Sequence, residues 1–150
     1  MKFSFGLDHD DKILEEAHTL TRDLKYKQAI DLVIPIKEKL EEYAKSNDAN
    51  LQKKGNDRNK WKKIHQLLGI SYQALSQYEK AKDHLLLGLD LDSKNQLLLY
   101  TAGINALCLN DPKLARSYLR ALSKHADRGP RNHMVKTLDN QINNYIVKSD

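Results

Sequence analysis

Displaced by 34 residues, the chain matches itself: Gly69 falls on Gly103, Ile70 on Ile104, Leu75 on Leu109, Ala81 on Ala115 and Leu85 on Leu119. A period of this length is one supersecondary unit that cannot bury its own apolar face, so neighbouring copies stack and bury it for one another. Composition decides what the unit is made of. Three prolines and six glycines punctuate 150 residues otherwise rich in Leu, Lys, Ala, Glu and Gln, which favours helices over short strands. The expected fold is all-α, a single domain of stacked helix pairs.

The apolar pattern places the helices. Ile13, Leu14, Ala17 and Leu20 recur at helical spacing behind the acidic turn Asp10-Asp11, which predicts a first helix over 10–23. Tyr26, Ala29, Ile30, Val33, Ile36 and Leu40 form a second stripe, in which Pro35 should introduce a local kink. Residues 44–61 hold few large apolar side chains and many turn formers, and read as an exposed insertion. From Trp61 onward Ile64, Leu67, Leu68, Ile70, Tyr72 and Leu75, then Tyr78, Ala81, Leu85, Leu89 and Leu91, give a second helix pair. Leu97–Leu109 is apolar on most sides, and Asn110-Asp111-Pro112 restarts a helix through Leu114, Ala115, Tyr118, Leu119 and Leu122. A seventh helix follows Arg128-Gly129-Pro130 and runs over 131–147.

Residues 62–95 resemble a tetratricopeptide repeat (TPR). Leu68-Gly69-x-x-Tyr72 stands where that family has Leu-Gly-x-x-Tyr, Tyr78, Ala81 and Leu85 fill the second-helix signature, and Leu89-Asp90-Leu91-Asp92-Ser93 is similar to the closing Leu-Glu-Leu-Asp-Pro, with Gly88 for a small Ala. Repeat three, 96–129, keeps Ala102-Gly103, Ala115, Leu119 and Leu122 but has Ala106 for the aromatic; repeat one, 10–43, keeps Ala17, Leu20, Tyr26, Ala29 and Val33 without the glycine. Ala29 and Ala81 are 52 residues apart, one period of 34 plus an insertion of 18, which matches the polar tract 44–61. The small residues at Gly69, Gly103, Ala81 and Ala115 are expected to let the two helices of a pair approach closely. The resemblance implies a right-handed superhelical array of three antiparallel pairs closed by a capping helix at 130–147, whose polar Arg131, Lys136, Asp139, Gln141 and Asn144 alternate with Met134, Leu138, Ile142 and Tyr145. It further implies that the first helix of each repeat lines a concave groove for a segment of another protein.

One subclass of that family grips acidic chaperone tails through Lys, Asn and Arg. The matching positions here are Leu14 and His18, then Leu67, then Leu97 and Thr101, so no clamp residue is present and no binding of heat-shock chaperone tails is expected. In the same register Leu97, Tyr100, Ile104 and Leu107, with Ile70, are the expected apolar groove residues, unless Phe3 and Phe5 fold back to cover them.

Catalytic and metal chemistry finds no footing in the residues. The histidines, His9, His18, His65, His84, His125 and His133, form no i,i+4 pair, and are expected on solvated helix surfaces; no metal and no cofactor is expected. Cys108, the one cysteine, lies in an apolar stretch and reads as a buried inert thiol, which with an N-terminus lacking a signal-peptide core fits a reducing, cytoplasmic setting. No apolar run approaches the roughly 20 residues of a membrane span. A formal charge of +5 from 25 basic and 20 acidic residues is too mixed for a dedicated nucleic-acid binder. Two cationic features stand out: the surroundings of Trp61, expected to pack at a helix start, and the row Arg116, Arg120 and Lys124 at i,i+4 spacing, which within 113–131 could meet an acidic partner or phosphates. The leading expectation is a noncatalytic protein-interaction module, an adaptor or cochaperone. The alternatives are a secretion-type chaperone guarding an apolar partner and a nucleic-acid- or phosphate-binding helical protein.

Overall fold

The computed structural model describes residues 8–149, and every regular element among them is helical. In chain order these are α1 (His9–Arg22), α2 (Tyr26–Lys45), α3 (Ala49–Gly55), α4 (Arg58–Ala74), α5 (Tyr78–Leu91), α6 (Gln96–Cys108), α7 (Pro112–His125), a 3-10 turn (Gly129–Arg131) and α8 (His133–Ser149). Short Asx side chains start six of the helices: Asp8, Asp48, Asp57, Asn95, Asp111 and Asn132 each accept from backbone N–H groups of the first turn, satisfying donors that have no partner within the helix.

The remaining starts, α2 and α5, have no side-chain cap and are entered through tight turns. Three turns share one geometry. Leu24, Ser76 and Asn110 are left-handed at φ 63, 63 and 61, and the next residue's N–H reaches back over the helix end, Lys25 to the Leu20 carbonyl (2.8 Å), Gln77 to Tyr72 (2.9 Å) and Asp111 to Ala106 (2.9 Å). This closure normally takes glycine at the left-handed position. Here three non-glycine residues occupy it, and the turns join α1 to α2, α4 to α5 and α6 to α7.

The pairs stack in two layers. α1, α4, α6 and α8 each pack on the next to form the first layer, while α2, α5 and α7 lie over it and α3 rests on α2. Ala17, Ala29, Ala81 and Ala115 are fully buried where helices cross. Gly69 faces the partner helix of its own pair, since a Cβ there would lie 2.8 Å from Leu85 Cδ2. Gly103 does not: its Cβ would lie 2.6 Å from Leu138 Cδ2 of α8, so this glycine admits the capping helix rather than α7. One apolar cluster joins α1, α2 and α4 through Leu14, Val33, Leu40, Ile64 and Leu68, and another joins α6, α7 and α8 through Leu99, Leu122, Leu138 and Ile142.

Several expectations are corrected. The insertion 44–61 contains a helix, α3, that the apolar pattern does not show, and α4 begins inside it at Arg58. Gly55 is buried so close to α2 that a Cβ would lie 2.3 Å from the Ala44 nitrogen, and Trp61 Nε1 donates to the Gly55 carbonyl at 2.7 Å. Backbone contact, not an apolar stripe, holds this short helix. Pro35 stands at an exposed position inside α2, which continues beyond it to Lys45. Eight α-helices, rather than seven, are present among the described residues.

An ion cluster ties the start of α1 to α2 and α4. Asp10 pairs with Lys39, and Lys60 reaches Asp8 at 2.5 Å and Asp10 at 3.8 Å. Burial alone would pull the Lys60 ammonium down, but the Asp8 bond and the charges of Asp8, Asp11 and Asp10 hold it above the usual lysine value.

Candidate functional site

The outward face of the first layer carries two depressions. The larger, about 470 Å³, opens between α1 and α4 and is lined by Leu14, Glu15, His18, Thr19, Arg22, Lys63, Gln66 and Leu67. The smaller, about 240 Å³, lies between α6 and α8, bounded by Leu107, Cys108, Gln141, Asn144 and Tyr145. Their chemistry differs because the helices differ. α1 and α4 are amphipathic and present charged side chains beside Leu14 and Leu67, whereas α6 contains no charged residue at all.

The groove residues expected from sequence sit as follows. Leu97 is 39% exposed at the start of α6. Ile70, Tyr100 and Ile104 are half-buried, the last two against the α6–α7–α8 cluster. Leu107 is only 8% exposed and belongs to that cluster, so it is core with an edge on the smaller depression rather than a free groove residue. Cys108 is half-buried, not enclosed. At the clamp positions Leu14, Leu67 and Thr101 are buried, while His18 and Leu97 are exposed. Phe3 and Phe5 lie outside the described residues. Arg116, Arg120 and Lys124 are all exposed on α7, in the other layer.

A third cleft, about 670 Å³, separates α2 from α5 and has Trp61 and His65 among its lining residues. Among the described residues the side chains of Lys37, Glu41, Arg58 and Trp61 are already engaged, while those of Asn56 and Asp90 are not. Lys37 pairs with Glu41 at 3.1 Å, Arg58 donates to the Leu91 carbonyl at 2.7 Å, and Trp61 donates to Gly55. His65 is buried, and its Nδ1 lies 3.1 Å from His84 Nδ1. Trp61, His65, His84 and Tyr72 form a column of stacked rings at centroid spacings of 5.4, 5.4 and 5.7 Å. The histidines are thus not all solvated, a correction to the sequence reading. Burial, the facing His84 and the nearby Lys37 push His65 down to about 4, and burial and Lys37 lower His84 as well.

The α1–α4 depression contrasts with this. The side chains of Glu15, Arg22 and Lys63 make no ion pair or hydrogen bond among the described residues. They stand uncommitted around an apolar floor.

No protein-family model matches the sequence, and no curated protein matches it. Among solved structures it is similar to the C-terminal TPR-containing domain of an FK506-binding protein from Plasmodium falciparum, with a TM-score of 0.62 at 22% identity over 93% of this chain and 89% of that one. The likeness establishes a TPR-like helical-repeat fold.

Proposed function

We propose that the chain is a noncatalytic protein-interaction module, an adaptor or cochaperone of the cytoplasm, that holds a segment of another protein along the outward face of α1, α4, α6 and α8. The observation that carries this reading is the state of the polar groups. Lys37, Arg58 and Trp61 of the α2–α5 cleft are engaged internally, whereas the side chains of Glu15, Arg22 and Lys63 around the α1–α4 depression have no ion pair or hydrogen bond among the described residues. Leu97, with half-buried Ile70, Tyr100 and Ile104 near it in the same layer, adds apolar contact area, and apolar anchors flanked by polar groups are what peptide-binding surfaces supply. Among the described residues no helix is long and apolar enough to cross a membrane.

Two exposed leucines make a matched test. Leu97 is 39% exposed on the first layer and Leu86 is 44% exposed on α5, in the other layer. A photo-reactive amino acid at position 97 should yield a discrete polypeptide adduct in the native cell, and the same group at position 86 should not. Equal adducts at both sites, or none at position 97, would remove support for the groove.

A further inference from the structure

The structure assigns a second interaction surface to the outer face of α7, a cationic row fitted to an acidic helical segment of a partner protein. α7 carries Lys113, Arg116, Arg120 and Lys124 and no carboxylate, and all four cations are exposed. Some cations elsewhere are paired internally, Lys37 with Glu41, Lys39 with Asp10, Lys60 with Asp8 and Lys62 with Asp92, and others, such as Arg22 and Lys63, are not paired among the described residues. What marks α7 is four exposed cations on one helix with no carboxylate among them. On α7 none is paired among the described residues, and Arg120 reaches only Ser117 Oγ at 3.4 Å. A row of like charges left uncompensated repels itself.

The repeat itself supplies the control. One period earlier, the positions of Lys113, Arg116, Arg120 and Lys124 are Glu79, Lys82, Leu86 and Asp90 on α5; on α2 they are Lys27, Ile30, Ile34 and Glu38. The scaffold therefore does not require cations there, and the row belongs to α7 alone. It is also rigid, because the opposite side of the helix buries Ala115 and Leu122 against α6 and α8.

Geometry and surroundings select the partner. Residues four apart rise by about 6 Å along a helix, so Arg116, Arg120 and Lys124 offer charges at the spacing of carboxylates four apart on a helix lying alongside. Arginine suits paired recognition of carboxylates. No large apolar side chain is exposed on α7 to enter a lipid surface, the exposed ones among the described residues being Leu24, Leu75, Leu86, Leu87 and Leu97. Nor is an exposed aromatic ring present on this helix to stack on a base, since Tyr118 is half-buried. The surface lies on the layer opposite the α1–α4 depression, so both could be occupied at once, and it does not depend on the groove reading.

The probe is a synthetic helical peptide with glutamates every fourth residue, measured by fluorescence anisotropy against the whole chain at low ionic strength. A same-composition peptide with its glutamates scattered around the helix, a single-stranded oligothymidylate and vesicles of anionic phospholipid are the comparison arms. The triple variant Arg116→Glu, Arg120→Glu, Lys124→Glu changes only exposed side chains, so its circular-dichroism melt should match the parent. The patterned peptide should bind more tightly than all three comparisons and lose about tenfold or more in the variant, the order expected for three exposed ion pairs. Equal binding of the scattered peptide, tighter binding of the oligonucleotide or vesicles, or full binding by the folded variant would each overturn the assignment.

Discussion

Two imidazoles set the pH response of the middle helix pair. At 3.1 Å between Nδ1 atoms, one ring must donate and the other accept, so the contact tolerates one proton fewer than two imidazolium ions carry. Lys37 on α2 adds a repelling charge, while Glu41 on α2 and Asp83 on α5 act the other way. The His65 value falls from 6.5 to about 4 on folding. A lowered histidine keeps its full contribution above the unfolded value and loses it as the unfolded state takes up a proton first. The melting temperature should therefore drop as pH falls from 6.5 toward about 4. His65→Leu, copying Leu99 one period later, should flatten that slope in differential scanning calorimetry, and an unchanged slope would place the proton uptake elsewhere. A sequence search for paired ligands on one helix misses this contact, because the partners lie on α4 and α5. The repeat register held the signal: His65 occupies the position of a core leucine.

At the scale of elements, α3 shows what apolar periodicity does not reveal. The tract offers few apolar residues to read, and the helix is fixed by Gly55 against the α2 backbone and by the Trp61 indole on its carbonyl. Gly55→Ala has no room, since the atoms met are backbone, whereas Gly103→Ala would meet only the flexible end of Leu138. The first should cost about 1–3 kcal/mol and the second less. Trp61 is the only tryptophan, so its emission reports the event locally. Gly55→Ala should shift that emission, and unchanged stability and emission together would contradict the packing of α3. Asp48 and Asp57 cap α3 and α4, but within a tract of turn formers they read as turn residues, and a helix held by main-chain proximity leaves no apolar stripe to see. The turns are similar: their positions follow from where the stripes break, but left-handed Leu24 carries none of the glycine signal that usually marks such a site.

For the whole molecule, the 34-residue period was the most legible feature, because stacking makes equivalent positions meet equivalent neighbours. Ala81 and Ala115 are both fully buried on that account. The period says nothing about the end of the array, where α8 takes the place next to α6 and Gly103 opens to Leu138. Nor does it tell which apolar residues of α6 stay free: a helix apolar on most sides gives no face, and the cap claims Leu107 while Leu97 is left exposed. The central claim is that the layer of α1, α4, α6 and α8 is the one that binds. Its most direct measurement is calorimetric affinity for the segment captured at position 97, with Leu97→Asp and Leu86→Asp as a matched pair of exposed leucines on opposite layers. Leu97→Asp should weaken binding about tenfold or more while Leu86→Asp stays within about twofold of the parent. Equal effects from the two, or loss only on substitution of Leu86, would contradict it.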